Sequence, residues 1–199
     1  MMLVELTSVP TASLPIAALK AHLRLGSGFE NDDAHDTDLE TYLRAALAAI
    51  EARTGKILIE REFRWELHEW RDQVRQPLPL APVNAIVSVT RSGVATPPEE
   101  VARTRYALAS DLQRPTLYAT GAALPRVPLG GRIEVVLMAG FGPEWTDLPA
   151  DLAQAVMLLA AHFYEYRIGG DARDTSLPQG VAALIERYRT VRLFMGGRT

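Results

Sequence analysis

The sequence predicts an α+β protein: a small helical bundle built from both ends of the chain, residues 1–56 and 147–199, carrying an inserted β-rich lobe over residues 57–146. Two observations predict it. Leu39, Leu43, Ala46, Leu47 and Ile50, and later Leu152, Val156, Leu159 and Phe163, recur at intervals of three and four, which places each set on one side of a helix. Between them the period drops to two, in Ile57, Ile59, Phe63, Trp65 and Leu67 and again in Ile133, Val135 and Leu137. That is the spacing of half-buried strands.

Taken in order, the first dozen residues show no periodicity. Ser13 is placed to cap a short helix starting near Pro15, with Ile16, Leu19 and Leu23 inward and an end near Gly26. Residues 27–38, SGFENDDAHDTD, form a polar loop. A long helix follows, with Thr37 as cap, Glu40 completing a capping box, and Gly55 closing the far end in a left-handed turn. It feeds a strand over Ile57 to Trp70. Pro77, Pro79 and Pro82 then lead into a second strand, Val83 to Thr90.

Residues 91–131 are rich in glycine, proline and small side chains and predict a β lobe with mobile loops, with strand-like pieces at Tyr106 to Ala109 and Thr116 to Ala119. Arg132 to Ala139 is the clearest late strand, ended by Gly140-Phe141-Gly142-Pro143. A largely apolar helix spans Leu148 to Arg167. After Gly169-Gly170, Ser176 and Gln179 make a second capping box for a last amphipathic helix through Val181, Leu184, Ile185, Tyr188, Val191 and Met195.

Composition narrows the function. At 199 residues with 48% hydrophobic and 23% charged side chains, the chain can bury a substantial core. It has no cysteine, which excludes disulfides, thiolate metal sites and cysteine nucleophiles. The longest apolar run, Ala155 to Ala161, is far short of the roughly 20 residues a membrane span needs, so no membrane partner is expected. A net charge of -3 argues against holding duplex DNA by phosphate neutralisation. Charge is uneven, however: six acidic residues crowd Glu30 to Glu40, whereas four arginines follow Val181 against the single Glu186. Such an asymmetry suits head-to-tail packing of copies, or equally a solvated acidic loop and a basic helix end.

Chemical machinery is absent from the pattern. His22, His35, His68 and His162 are scattered, no serine sits in a G-x-S-x-G elbow, and Trp145 replaces the third glycine that a dinucleotide loop after Gly140-x-Gly142 would need. The run Asp32, Asp33, His35, Asp36 fails a calcium loop, since Ala34 takes the second ligand position. No catalytic residue, cofactor or metal is expected. Two alternatives stay open: a DNA-binding module resting on the C-terminal arginines, and a small metal-dependent hydrolase resting on Asp32, Asp33, His35 and Asp36.

The ordered blocks ALKAHLRL from Ala18, DLETYLRAALAAIEARTGKILI from Asp38, PLPLAPVNAIVSV from Pro77, VVLMAGFG from Val135, LPADLAQAVMLLAAHFYEYR from Leu148 and LPQGVAALIERYR from Leu177 resemble the head-tail connector, or adaptor, proteins of long-tailed phages and gene transfer agents. The resemblance implies a structural virion protein at the neck and not an enzyme. It implies a homo-oligomeric ring of about twelve subunits, a portal protein on one side, a stopper or tail-completion protein on the other, and passage of double-stranded DNA through the middle. Modest charge and the lack of a coiled-coil seam predict that the isolated chain is monomeric or weakly associated. For the portal interface the amphipathic C-terminal end is the candidate, through Arg187, Arg192, Phe194, Met195 and Arg198.

Overall fold

The computed structural model describes residues 2–25, 33–94, 97–166 and 177–189. Its helices are α1 (Ile16–His22), α2 (Asp33–Thr54), α3 (Ala150–Glu165) and α4 (Gln179–Ile185), and its strands are β1 (Met2–Glu5), β2 (Arg61–Leu67), β3 (Arg75–Pro77), β4 (Val83–Ser92), β5 (Glu99–Glu100), β6 (Tyr106–Ala109), β7 (Thr116–Ala119) and β8 (Arg132–Ala139). The class is mixed α+β, as the change of period predicts. Strands β6, β7 and β8 fall on the predicted residues.

Two antiparallel sheets form, one in the order β1-β2-β8-β4-β5 and one in the order β3-β7-β6. Alternation along β2 puts Phe63, Trp65 and Leu67 inward, where they meet Ile133, Val135 and Leu137 of β8 and Ile86 and Val89 of β4 in one apolar cluster. The helices fill a second cluster. Leu39, Leu43, Leu47 and Ile50 of α2 join Leu152, Val156 and Leu159 of α3, with Leu19 of α1 and Val181 and Ile185 of α4 in the same interior. The predicted stripes are the faces that become buried.

Five expectations are corrected. First, Ser13 does not cap α1: it belongs to a 3-10 turn over Thr11–Ser13, and Pro15 takes the cap position without a side-chain bond. Second, α2 starts at Asp33, so Thr37 lies inside it, its carbonyl accepting the Thr41 hydroxyl at 3.0 Å. Glu40 does not close a capping box, because its carboxylate is taken by Arg44 at 2.8 Å and by the Thr11 hydroxyl at 3.0 Å. Acidic residues at a helix start are themselves favourable to its dipole, which lets the helix extend upstream. Third, the N-terminus is not patternless: β1 pairs with β2 from Met2↔Glu66 to Glu5↔Phe63. It is an edge strand held by its backbone, and three of its four residues are exposed, so its side chains carry no period.

Fourth, Ile57 to Glu60 do not continue β2. They run instead through single bridges, Lys56 to Ala81 and Ile59 to Gly142, and regular pairing begins at Arg61. Fifth, α4 ends at Ile185 rather than continuing as one helix through Tyr188. It tightens into a 3-10 turn at Glu186–Tyr188, and Arg189 is extended at φ -65° and ψ 130°. Pro178 occupies the cap position without a side-chain bond; Ser176, Val191 and Met195 lie outside the described residues. The tighter turn carries Tyr188 into the helical interior, where its ring meets Phe141 edge-on at 6.3 Å.

Candidate functional site

The helical and sheet clusters meet at a seam built from polar groups. The last turn of α2 presents Glu51, and the first residue of β2 presents Arg61, with an N–O distance of 2.7 Å and both side chains largely buried. The other carboxylate oxygen of Glu51 accepts the Leu58 amide at 2.8 Å. Burial pushes the Glu51 carboxyl above its ordinary range, and the Arg61 charge only partly offsets this. Arg61 also reaches Glu5 of β1 at 3.4 Å and lies over the Phe63 ring. One guanidinium thus ties a helix to two strands.

Backbone contacts reinforce the seam. The Glu60 amide donates to the Gly142 carbonyl at 2.8 Å, Phe141 to Leu58 at 3.1 Å, and Gly140 to Pro82 at 3.1 Å. Gly140 has φ +143°, and a Cβ there would stand 2.3 Å from the Glu60 Cα, so the position requires glycine. Lys56 is fully buried, and its ammonium has no hydrogen-bond partner among the described residues. Desolvation holds its pKa below the ordinary lysine value, with the Asp111 charge opposing.

Of the predicted interface residues, only Arg187 is described; Arg192, Phe194, Met195 and Arg198 lie outside the described residues. Arg187 is not a loose cation. Its Nε contacts the Asp151 carboxylate in the first turn of α3 at 2.8 Å, and its Nη2 donates to the Tyr188 hydroxyl at 2.5 Å. That hydroxyl donates in turn to Asp151 at 2.7 Å. Burial pushes the Tyr188 hydroxyl pKa up. Arg189 pairs locally with Glu186 at 3.0 Å. The arginines of the described C-terminal end therefore hold α4 and its 3-10 turn in place, although the Arg187 side chain keeps 68% exposure.

The acidic end is arranged differently. Asp36 pairs with Lys20, Asp38 is exposed on the start of α2, and the His35 ring meets Tyr164 edge-on at 5.7 Å. Asp32 lies outside the described residues. Among the described residues no three His, Asp or Glu side chains are grouped to hold a metal ion. Nor is any helix among them long and apolar enough to cross a membrane. Tyr164 of α3 and Tyr166 just beyond its end do not form one stacking platform: Tyr164 meets Tyr42 edge-on at 6.1 Å, and Tyr166 lies against His162 at 4.4 Å.

No sequence pattern announces the basic groove of about 850 Å³ at the far end of α2. Arg53 comes from the last turn of α2, Arg71 from the loop after β2, and Arg114 with Gln113 and Thr116 from the β6–β7 hairpin. Leu78 and Leu80 add an apolar part to its lining. Two carboxylates stand nearby and keep their charge: Asp111, which accepts the Gln113 and Arg114 amides and offsets part of the Arg114 charge, and Asp72, which accepts those of Val74 and Arg75. These backbone bonds hold both carboxyls below the ordinary range. The three arginines come from separate stretches of the chain, so no local run of charge reveals them.

Solved structures give the context for these surfaces. The chain is similar to a protein in the neck of an empty gene transfer agent particle computed with six-fold symmetry, at 49% identity over 98% of this chain and 99% of that one, with a TM-score of 0.87. A chain in the virion of a native gene transfer agent particle matches at 50% identity, the same coverage and a TM-score of 0.87. A third, from the neck of a native particle computed with twelve-fold symmetry, matches at 47% identity over 98% and 99%, with a TM-score of 0.84. No protein-family model and no curated protein sequence matches the chain.

Proposed function

We propose a mechanical role for this chain, which belongs to the head-tail connector family of gene transfer agent particles: it is a neck subunit that joins the DNA-filled head to the tail. The observation that carries the reading is similarity at 49% identity across almost the whole length of both chains to a protein in such a neck. A match of that extent includes the helical cluster, both sheets and the seam alike. Six-fold and twelve-fold symmetry in those necks supports assembly of this chain into a ring, with twelve copies as the number.

In that ring the mainly helical ends of the chain, 1–56 with 147–199, and the β-rich lobe, 57–146, act as two units, tied together where β1 of the first pairs with β2 of the second. The ring surrounds a channel for double-stranded DNA, with a portal protein on one side and a stopper or tail-completion protein on the other. The subunit works by packing and needs no catalysis, cofactor or membrane; it is made in the bacterial cytoplasm and ends in the particle neck. The segment from Arg187 through Arg192, Phe194 and Met195 to Arg198 docks on the portal. Support comes from the 68% exposure that Arg187 keeps while bound to Asp151, and from the basic and aromatic character of the residues beyond it.

Particles produced with a chain lacking Phe194 to Thr199 test both levels of the reading. The truncated protein is expected to keep its melting transition, while DNA-filled heads accumulate without tails. Tailed particles at normal yield would remove the portal role of this segment. Tailed particles at normal yield in the complete absence of the chain would remove the connector role itself.

A further inference from the structure

Helix α2 is a rigid rod of 22 residues, which at 1.5 Å per residue is about 33 Å long. Its two ends carry opposite charge. Asp36 and Asp38 stand near the start, where Lys20 offsets the first carboxylate and Asp38 remains exposed. At the other end Arg53, Arg71 and Arg114 line the groove. Complementing the helix dipole accounts for the aspartates and for Arg53. It does not account for Arg71 and Arg114, which come from other elements and converge on the same concavity.

A ring with cyclic symmetry has one demand that a two-fold dimer lacks. Its interface is heterologous, so each copy must present two different, mutually complementary surfaces. Opposite charges at the two ends of one stiff helix meet that demand. We propose that the arginine groove at the end of α2 receives the acidic start of α2 from the next copy, so that the groove is the copy-to-copy socket of the ring. The proposal rests on the ring reading above and adds the surfaces through which the ring closes. Duplex DNA is the less favoured occupant: the chain carries a net charge of -3, and the groove offers three arginines where duplex binders spread positive charge over a face.

Charge exchange in assembling particles tests the socket. Arg114→Glu and Asp38→Arg each place like charges opposite one another at every interface, and each is expected to cut the yield of tailed particles by at least about tenfold. Both positions are exposed, so the melting transition of Arg114→Glu should match the wild type, and that of Asp38→Arg should fall only slightly, through the lost complement to the helix dipole. Producing the two variants together restores the yield. In an even ring they can alternate, so that every changed groove meets a changed helix start and every unchanged groove an unchanged one. The chain carrying both substitutions restores it as well, for the same reason. Recovery by either route supports the socket; normal yield from either single variant, or failure of both rescues, overturns it.

A second measurement separates the nucleic-acid occupant. If Arg114→Glu weakens binding of a short DNA duplex by the isolated protein at moderate salt, and neither rescue works, the groove belongs to DNA and the proposal falls. The connector reading is judged apart from this, by tail attachment in particles that lack the chain altogether.

Discussion

The helical interior and the seam beside it are built on different principles. Between α2 and α3 the contacts are aliphatic: Leu43 is fully buried, Leu159 is 1% exposed, and neither has a side-chain polar atom to satisfy. At the seam aliphatic packing alone does not suffice, because Lys56 and Arg61 are buried and the Glu51 side chain that pairs with Arg61 is largely so. Burial of aliphatic surface is non-directional and tolerates many sequences. A buried charge pair tolerates little, since either partner left alone is desolvated without compensation. The helical interior supplies stability, and the seam fixes how the sheet sits against the helices, which is what a ring subunit must hold constant between copies.

The sharpest way to break this contrast is to remove one partner at the seam. Arg61→Met keeps most of the side-chain stem but strands the Glu51 carboxylate, and should cost about 3 to 5 kcal/mol in chemical denaturation. The double change Glu51→Gln with Arg61→Met should recover most of that loss, because no charge then remains to be buried unpaired. A double variant as unstable as Arg61→Met alone would mean that Arg61 acts through Glu5 and the Phe63 ring, its other neighbours.

In the helical interior the expected effects are of cavity type. Leu159→Ala and Leu43→Ala should each cost about 2 to 5 kcal/mol through lost burial and the space left behind. Unlike Arg61→Met, neither can be rescued by a second substitution that merely removes charge. A thermal midpoint unmoved by either change would show that the two helices do not share one interior.

The same contrast explains which features are legible in the sequence. The stripes of α2 and α3 and the alternation of β2 and β8 are local periods, and each appears in the structure on its predicted face. Partners remote in the chain leave no such trace. Asp151 lies 37 residues from the Tyr188 that binds it, so nothing near Arg187 reveals that its charge is already engaged. The groove arginines are likewise dispersed, and β1 is held by backbone pairing that any side chain permits. The capping box at Thr37 and Glu40 is a sound local pattern, but Thr11 and Arg44 take the carboxylate it needs.

The finest test of the seam is its response to pH. Burial raises the Glu51 carboxyl from the ordinary 4.5, even with Arg61 beside it. Between the ordinary and the raised value the folded chain holds a proton that the unfolded chain has released, so stability falls as pH rises through that window. Above it the cost of keeping Glu51 ionised is present in full. In Glu51→Gln the side chain is neutral throughout, so the midpoint of the variant minus that of the wild type should increase as pH is raised from below 4.5 toward neutrality. Groups with depressed values, Glu40 through its bond to Arg44 and Asp72 and Asp111 through backbone amides, titrate with the opposite sign, but they do so in both proteins and cancel in the difference. The contrast between an amide and a protonated carboxyl beside Arg61 adds an offset that does not vary across the window. A difference that falls with pH would mean that the Arg61 charge outweighs burial, and that the seam is held by its ion pair rather than in spite of it, whereas a flat difference would mean that the two effects cancel.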